Sequence, residues 1–212
     1  MKALIIGATG ATGKDLVHIL LQDPDYSAVV IFVRRSGGIT HPKLTEINTN
    51  FDKPEEVSTH IKGDVLFSCL GTTLKAAGSK QNQLQIDYEI PLQFAEIARR
   101  NGIVKIVLLS AYGASPTSTV FYSKIKGRLE DGINALAFDQ YIIFRPGLLL
   151  RKDTDRFGEL VMARFLNLLN TLGLFKKFRA MPTLILAEKL AKVPKVFGKG
   201  KHVIELDKIF DV

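Results

Sequence analysis

Cysteine is almost missing from this chain of 212 residues, which contains Cys69 alone. One thiol cannot form an internal disulfide, so we expect a reducing compartment and predict a cytoplasmic protein. Histidine is also scarce, and its four positions show none of the spacing of metal ligands, so no metal site is predicted. The histidines are His18, His41, His60 and His202.

Long apolar runs are absent as well. No run of about eighteen apolar residues occurs, so no membrane-spanning helix is expected. The first apolar run leads straight into glycines, so no signal peptide is expected. A hydrophobic content of 46% still suffices for a full core. We therefore predict one domain over residues 1–212, with its core at 1–150 and a small C-terminal helical substrate or cap region at 151–212.

The start of the chain has a pattern typical of a strand, a turn and a helix. Apolar residues 3–6 lead into Gly7-Ala8-Thr9-Gly10-Ala11-Thr12-Gly13, an amphipathic stretch follows to Gln22, and a second apolar run covers residues 28–33. This order predicts a right-handed parallel βαβ unit.

Three glycines in that turn have separable functions. Gly7 allows the tight turn, Gly10 allows the backbone to approach a pyrophosphate, and Gly13 allows close packing of the helix. Free N–H groups at the helix start would face the phosphates, which the helix dipole favours. A glycine-rich turn also occurs without a ligand, but its place between strand and helix is the context that nucleotide binding requires. The predicted contacts are Gly7, Thr9, Gly10, Ala11, Thr12 and Gly13.

The end of the second strand predicts which nucleotide binds. NAD sites usually carry Asp or Glu about 20 residues after the glycines, to accept a hydrogen bond from the ribose 2′-OH. This chain has Arg34 and Arg35 there, with no acid beside them. A guanidinium can hold a 2′-phosphate and stack on adenine, so we predict NADP(H) as the cofactor. Two solvated arginines at a strand end are the alternative interpretation.

Strands and helices continue to alternate, which predicts an α/β fold, a Rossmann-type doubly wound parallel sheet. Ligands lie beyond the carboxyl ends of such strands, so we also expect cofactor contacts from Asn50, Phe51, Leu70 and Gly71. Residues 74–81 are expected to form a polar loop. The predicted strands are 44–49, 64–70, 103–109, 141–144 and 202–206, and the predicted helices are 54–61, 84–100, one from Tyr122 to about Ala137, 156–172 and 183–193.

Three candidate catalytic residues follow the fifth predicted strand, at residues 103–109. Ser110 lies at its end, and Tyr122 and Lys126 are four residues apart, so both project from one helix face. An ammonium beside a phenol favours the phenolate, which suits it to proton transfer. The serine hydroxyl could orient a substrate carbonyl or alcohol. Tyr-x-x-x-Lys is common by chance, but its place after this strand makes the pattern specific.

With these motifs the sequence resembles the short-chain dehydrogenase/reductase superfamily. Within it, the chain resembles the atypical branch typified by the Tat-interacting, metastasis-suppressor-like oxidoreductases and their bacterial relatives. The likeness covers most of residues 1–150. The residues that carry it are Gly7 to Gly13, Arg34-Arg35, Cys69-Leu70-Gly71-Thr72-Thr73, Ser110, Tyr122, Lys126-Gly127 and Phe144-Arg145-Pro146-Gly147.

The resemblance implies an NADPH-binding Rossmann fold with a Ser-Tyr-Lys site. The segment that includes Pro146 is expected to pass the nicotinamide. Relatives often have Ser-Ser where this chain has Ser110-Ala111, so the triad is incomplete if the working hydroxyl belongs to the second position. The implied cofactor contacts are residues 9–12, Arg34, Arg35, Leu70, Gly71, Tyr122 and Lys126.

The net charge of +8 is concentrated near the C-terminus, where residues 145–201 hold 13 Lys and Arg against 4 Asp and Glu. Such a region attracts phosphorylated ligands, anionic membranes or nucleic acid, and a solvated basic face without a partner is an equal alternative. No nucleic-acid-binding module is evident, so no nucleic-acid partner is expected. A peripheral membrane or protein contact stays open, as does the choice between monomer and homodimer.

Together these features predict an NADP(H)-dependent oxidoreductase that acts on a small carbonyl or alcohol. Tyr122 is the expected proton donor, Lys126 the ribose anchor and Ser110 the substrate orienter. The alternative is an NADPH-responsive binding protein with little turnover, which Ser110-Ala111 and the basic region favour. A sugar-nucleotide epimerase or dehydratase is a weaker hypothesis, because such enzymes normally need a larger C-terminal substrate domain.

Overall fold

Strands and helices alternate through residues 1–150 and 178–212, which are the residues that the structure, a computed structural model, describes. The strands are β1 (Lys2–Ile6), β2 (Ala28–Val33), β3 (Leu44–Asn48), β4 (Val65–Ser68), β5 (Lys105–Leu109), β6 (Gln140–Arg145), β7 (Leu149–Leu150), β8 (Met181–Pro182) and β9 (Gly200–Glu205).

Seven of these strands form one parallel sheet in the order β3-β2-β1-β4-β5-β6-β9. Chain order runs outward in both directions from β1 and β4, so the direction of winding reverses between these two strands. This is the Rossmann order, and the reversal marks the place where such sheets bind ligands. The predicted fold class is confirmed. A small second sheet pairs β7 with β8.

Helices cover both faces of the main sheet. Apolar side chains of α1 (Ala11–Gln22) and α6 (Thr183–Val196) pack on one face, and those of α4 (Ile90–Arg100) and α5 (Phe121–Ala135) pack on the other. The central strands are therefore buried on both sides, which explains their unbroken apolar sequences. The helices are α1 (Ala11–Gln22), α2 (Leu74–Ala77), α3 (Lys80–Leu84), α4 (Ile90–Arg100), α5 (Phe121–Ala135) and α6 (Thr183–Val196), with a π-helical turn at Gln85–Glu89 and 3₁₀ helices at Pro54–His60 and Leu206–Asp211.

The prediction of a loop at residues 74–81 is wrong. Two short helices, α2 and α3, occupy this segment and the residues after it. Thr73 caps the first helix by accepting a hydrogen bond from the Ala76 N–H at 3.2 Å. Ser79 caps the second by accepting one from the Asn82 N–H at 3.1 Å. Gly78 ends the first helix in the left-handed conformation, at φ +79°. Capping by short hydroxyl side chains therefore creates helices in a polar segment.

The helix predicted at 84–100 is interrupted at its start by the π-helical turn Gln85–Glu89. A π turn holds one residue more than an α turn and rotates the preceding segment relative to the following one. Within this turn Ile86 is only partly buried, and its neighbour Asp87 is fully buried.

The described part of the predicted cap region belongs to the layers of the core. β9 pairs along its whole length with β6, and α6 packs on the same face of the sheet as α1. The helix at Thr183–Val196 continues three residues beyond its predicted end, and the strand at Gly200–Glu205 begins two residues earlier than predicted. The helix predicted at 156–172 lies outside the described residues.

Candidate active site

The glycine turn between β1 and α1 fits only glycine at two of its positions. Gly7 has φ +80°, and a Cβ there would lie 2.5 Å from backbone atoms of Cys69 and Leu70. A Cβ on Gly13 would lie 2.1 Å from the carbonyl oxygen of Gly7. The missing side chains therefore allow the first turn of α1 to pack directly against the end of β1.

The N-terminus of α1 is open to an anion. Its N-cap is the exposed Gly10, no side chain caps the helix, and the first turn contains no acidic residue. The first N–H groups of a helix lack intrahelical acceptors and carry the positive end of the dipole. This cradle fits a pyrophosphate, so the geometry of the turn is that of a dinucleotide site.

A cavity of about 560 Å³ opens on one side of this turn. Arg34 lines it from the end of β2, and Asn50 and Phe51 line it from the end of β3. The Phe51 ring packs against Phe94, with ring centroids 5.7 Å apart. Arg35 is exposed and is not among the lining residues. The cavity thus has a cation and an aromatic ring at its rim.

An acid also reaches this cavity, although none adjoins Arg34 in the sequence. Asp52 lines the cavity, and its Oδ1 accepts a hydrogen bond from Gln85 Nε2 at 2.7 Å. Glu46 accepts hydrogen bonds from the Ser36 hydroxyl and the Gly37 N–H and so fastens the loop after Arg35. No acid therefore adjoins Arg34 and Arg35 in the sequence, but the fold brings Asp52 into the cavity that Arg34 lines.

A second cavity of about 700 Å³ opens on the other side of the turn. The predicted residues Ala11, Thr12, Gly13, Ser110, Tyr122 and Lys126 all line it. The two cavities meet, because both are lined by Gly10, Cys69, Leu70, Gly71, Thr72 and Ala76. One groove therefore runs across the carboxyl ends of the central strands. Pro146 is buried and is not among the lining residues of either cavity.

Lys126 is held by a carboxylate that the sequence did not single out. Its Nζ lies 3.1 Å from Asp87 Oδ1 and donates a hydrogen bond to the Leu70 carbonyl oxygen at 3.4 Å. Both side chains are buried, with 2% of Lys126 and none of Asp87 exposed. The other oxygen of Asp87 accepts a hydrogen bond from the Thr72 N–H at 3.1 Å. Asp87 therefore ties the loop after β4 to α5.

Burial and neighbouring charges shift the pKa values of Asp87 and Lys126 in opposite directions. Burial raises the pKa of Asp87, and the Lys126 ammonium and the Thr72 N–H offset this only in part. Burial would lower the pKa of Lys126, but Tyr122, Asp87 and Cys69 together raise it above its ordinary value. Lys126 is therefore a cation at neutral pH.

Tyr122 and Lys126 share one face of α5, as their spacing predicts. Nζ of Lys126 lies 5.9 Å from the centroid of the Tyr122 ring, and 37% of Tyr122 is exposed. Tyr122 therefore stands at the entrance of the second cavity with the buried ammonium behind it. This arrangement places a phenol beside a fixed positive charge, which is the electrostatic requirement for proton transfer by the phenol.

Ser110 donates a hydrogen bond to a second buried acid. Its Oγ lies 2.5 Å from Glu130 Oε1, and only 3% of Glu130 is exposed. Arg145 donates to both oxygens of the same carboxylate, at 3.0 Å and 2.5 Å, and also to Glu205. The predicted site residue Ser110 is thus connected to a buried network behind the cavity.

Two acids, Asp87 and Glu130, are the functional candidates that sequence analysis missed. Glu130 lies four residues after Lys126 and eight after Tyr122, so a search for polar residues on one helix face could have found it. Asp87 gave no such signal, because the π turn that directs it inward has no sequence signature here.

Cys69 lines both cavities of the groove. Burial raises the pKa of its thiol to about 12, and the nearby Lys126 offsets this only in part. The thiol therefore carries its proton at neutral pH. Among residues 1–150 and 178–212, no group of three or more His, Cys, Asp and Glu side chains could hold a metal ion. In the same residues, no helix has the length and apolarity to cross a bilayer.

A Rossmann sheet, an uncapped glycine turn at its switch point and a Tyr-Lys pair in the same groove define an NAD(P)-binding protein of the short-chain dehydrogenase/reductase type. The comparisons agree with this class. The family model described as NAD(P)H-binding matches residues 7–163. The chain belongs to this family of NAD(P)H-binding, short-chain dehydrogenase-like oxidoreductases.

Curated relatives include fungal and mammalian proteins. Protein FMP52, mitochondrial, from Debaryomyces hansenii is 36% identical over 197 residues, which cover 91% of this chain and 85% of the relative. The Candida albicans protein of the same name is 36% identical over 165 residues, covering 74% and 72%. Protein HTATIP2 from Rattus norvegicus is 34% identical over 166 residues, covering 76% and 68%. The resemblance to the Tat-interacting branch is confirmed.

Solved structures with similar folds belong to larger enzymes. UDP-glucose 4-epimerase from Thermotoga maritima has a TM-score of 0.71 at 13% identity, and the match covers 100% of this chain and 81% of the epimerase. A short-chain dehydrogenase/reductase superfamily protein from Agrobacterium tumefaciens with bound NAD has a TM-score of 0.72 at 13% identity, covering 97% and 77%. These likenesses establish the fold.

The cytoplasmic prediction is wrong. The FMP52 relatives from Candida albicans, Debaryomyces hansenii and Saccharomyces cerevisiae are named as mitochondrial proteins, which contradicts a cytoplasmic assignment. The prediction rested on a lone cysteine and on the lack of a recognisable signal peptide. A lone cysteine indicates a reducing compartment, and it does not separate the cytoplasm from the interior of mitochondria.

Proposed function

We propose that this chain is an NADP(H)-dependent oxidoreductase that interconverts a small carbonyl compound and its alcohol. The observation that carries the proposal is that Tyr122 and Lys126 line the same groove as the uncapped glycine turn. A phenol and an ammonium at the end of a dinucleotide groove are suited to move a proton beside the site of hydride transfer.

The groove consists of two cavities, and we assign one half of a dinucleotide to each. We assign the adenosine to the cavity of Arg34, Asn50 and Phe51, the pyrophosphate to the N-terminus of α1, and the nicotinamide to the cavity of Tyr122 and Lys126. When bound there, the nicotinamide would supply or accept the hydride. In this assignment Leu70 and Gly71 lie between the halves, since they line both cavities.

Arg34 supports the choice of NADP over NAD. Its guanidinium follows β2, where an NAD site usually has an acid for the ribose 2′-OH. Asp52 follows β3 instead, and Gln85 already donates a hydrogen bond to it. We therefore assign the 2′-phosphate to Arg34, with Arg35 adding positive charge from outside the cavity.

The side chains around the second cavity have different tasks. Tyr122 gives a proton to the carbonyl oxygen, or takes one from the alcohol. Lys126 stabilises the phenolate and holds ribose hydroxyls. Asp87 is a positioning residue, because its carboxylate binds Lys126 and the Thr72 N–H and is not among the residues that line the groove. Pro146 is buried and is not among the lining residues, so we assign it no contact with the cofactor.

Replacement of Tyr122 by Phe tests this function. We expect Tyr122→Phe to reduce NADPH-dependent reduction of a panel of carbonyl compounds by at least about a hundredfold, because a general acid contributes that much. NADPH affinity should change less than about threefold, because the ring remains. Tyr112→Phe is the matched control, since Tyr112 is 47% exposed and is not among the residues lining the groove. Equal turnover by the Tyr122→Phe and Tyr112→Phe proteins would remove Tyr122 from the mechanism.

A second candidate is an NADPH-responsive binding protein with little turnover. Two observations favour it: Ala111 has no hydroxyl, and the Ser110 hydroxyl is hydrogen-bonded to Glu130. The basic residues of the segment 145–201 would then contact a protein or a membrane surface. Wild-type protein that binds NADPH, reduces no carbonyl of the panel and changes its binding to anionic vesicles with NADPH would establish this function instead.

A further inference from the structure

The direction of the hydrogen bond between Ser110 and Glu130 is determined by Arg145. The Arg145 guanidinium donates to both carboxylate oxygens of Glu130 and to Oε1 of Glu205. Its hydrogen bond to Glu130 raises the pKa of Arg145 further above its ordinary value. A carboxylate that receives two hydrogen bonds from a guanidinium is ionised and has no proton to donate.

Ser110 must therefore be the donor to Glu130. A hydroxyl has one proton and two acceptor positions, so the bond to Glu130 Oε1 at 2.5 Å uses the only proton of Ser110. Arg145 Nε donates to the same Oε1 at 3.0 Å, and a carboxylate oxygen has lone pairs for both hydrogen bonds. The Tyr141 hydroxyl donates instead to the Glu130 backbone carbonyl, at 3.2 Å, and the Ser110 N–H donates to the Phe144 carbonyl, at 2.8 Å.

Much of the lining of the cavity that contains Ser110 is apolar, and its polar side chains besides Ser110, Tyr122 and Lys126 are Thr12, Thr72, Thr73, Lys80 and Gln83. The residue after Ser110 is Ala111, which supplies no replacement hydroxyl. Lys126 and Tyr122 are the polar groups assigned to the cofactor and to proton transfer. The apolar side chains that line the cavity are Leu74, Leu109, Val120, Phe121 and Leu149.

We propose that Ser110 acts in this cavity only as a hydrogen-bond acceptor, and that the substrate is an apolar compound bound preferentially as its alcohol. A carbonyl oxygen has no proton and gains nothing from an acceptor, whereas an alcohol O–H can donate to the lone pairs of Ser110. Glu130 and Arg145 then determine specificity from behind the cavity. The inference depends on the proposed function, since it takes this cavity as the substrate site.

The test uses cyclohexanol and cyclohexanone as a matched pair of apolar probes. Each is titrated against the full chain by ligand-observed NMR, with the cofactor form that cannot react with it: cyclohexanol with NADPH, and cyclohexanone with NADP⁺. Ser110→Ala should weaken cyclohexanol binding by about fivefold to tenfold, the loss expected for one hydrogen bond. Cyclohexanone binding should change less than about twofold. Ser123→Ala is the control, because Ser123 is the neighbour of Tyr122 on α5 but is not among the lining residues.

A second variant reverses the hydrogen bond. In Glu130→Gln, the amide oxygen can replace Oε2 as the acceptor of the second Arg145 hydrogen bond, and the amide N–H can replace Oε1 and donate to Ser110. The Ser110 proton is then free for the cavity, and the hydrogen bond from Arg145 Nε is lost. Glu130→Gln should therefore tighten cyclohexanone binding by about threefold or more. Thermal melts show first whether this variant folds. If it does not fold, the Ser110→Ala and Ser123→Ala titrations alone test whether Ser110 accepts a hydrogen bond from the alcohol.

Three results would overturn the inference. The first is an equal loss of both probes in Ser110→Ala, and the second is unchanged cyclohexanol binding in that variant. The third is wild-type protein that binds the cofactor but neither probe, because the cavity then does not take a small apolar alcohol. Failure to bind either form of the cofactor is a separate result, which would contradict the proposed function itself.

Discussion

Lys126 illustrates how the site controls a buried charge. An ammonium moved out of water is costly unless a partner and hydrogen bonds compensate it. Asp87 supplies the opposite charge at 3.1 Å and the Leu70 carbonyl supplies an acceptor at 3.4 Å. The position of Lys126 in the groove is thus determined by residues from two other parts of the chain.

Replacement of Asp87 should show this dependence. We expect Asp87→Asn to lower the free energy of unfolding by about 3 kcal/mol, because the Lys126 charge is left buried without its partner. Urea denaturation at pH 7 measures the change. Glu89→Gln is the control from the same π turn, with an expected loss below about 0.5 kcal/mol. Equal stability of the two variants would show that Asp87 does not compensate the charge of Lys126.

The residue scale also shows where sequence analysis fails. Gly7, Gly13, Tyr122 and Lys126 could be found because their functions depend on local spacing along one turn or one helix. Asp87 contacts a residue 39 positions away through a π turn, and local patterns do not encode such a contact. The hydrogen bond of Ser110 to Glu130 was also missed, because it joins residues 20 positions apart on different elements. It changes what Ser110 can offer a substrate.

At the scale of elements, α6 is attached to the end of α1 by a small charged cluster. Lys195 of α6 lies 2.7 Å from Asp23 and 2.9 Å from Asp25. The Tyr26 hydroxyl donates to the Ala191 carbonyl at 2.8 Å. Burial would raise the pKa of Asp23, but the hydrogen bonds from Lys195 and the Asp25 N–H and the nearby lysine charges lower it overall.

This shift predicts a stability contribution that depends on pH. Because the pKa of Asp23 is lower in the folded state, the contribution is present above the ordinary value of 3.8 and is lost as pH falls through the folded pKa. Asp23→Asn should cost about 0.5–1 kcal/mol at pH 7, and the difference should shrink below about pH 3. Urea denaturation at both pH values measures it. The more exposed Asp25→Asn should cost less, and an Asp23→Asn effect that persists undiminished at low pH would contradict the electrostatic cause.

Most strands and helices were predictable because their patterns are strong. Strands such as Ala28–Val33 are buried on both faces, so an unbroken apolar run identifies them. Residues 74–84 are polar, and their helices depend on capping by Thr73 and Ser79 rather than on an apolar face. A prediction based on apolar periodicity therefore misses them.

At the scale of the whole molecule, the position of the groove follows from topology. Parallel strands end at one edge, and the sheet reverses its winding between β1 and β4, so the turns after these strands diverge and leave a crevice. The sequence predicted this edge from the order of strands and helices. It predicted a helix at 183–193 and a strand at 202–206 but placed both in a small C-terminal region. Their place in the main sheet and its helical layers follows only from the pairing of β9 with β6 and the packing of α6.

Arg34 and Arg35 together should determine the nucleotide. We expect the double variant Arg34→Ala, Arg35→Ala to weaken NADPH binding by about tenfold or more, because charged hydrogen bonds to the 2′-phosphate are lost. NADH binding should change less than about threefold, since NADH has no such phosphate. Lys53→Ala is a control for a general loss of positive charge, because the exposed Lys53 is not among the lining residues.

The central claim is that the glycine turn binds a reduced pyridine dinucleotide with its nicotinamide near Tyr122. Fluorescence titration of NADPH and NADH with the purified full chain tests it most directly, because the chain contains no tryptophan and the nicotinamide signal can be observed alone. The account predicts saturable enhancement with both nucleotides and at least about tenfold tighter binding of NADPH. The absence of a saturable change with either nucleotide would contradict it.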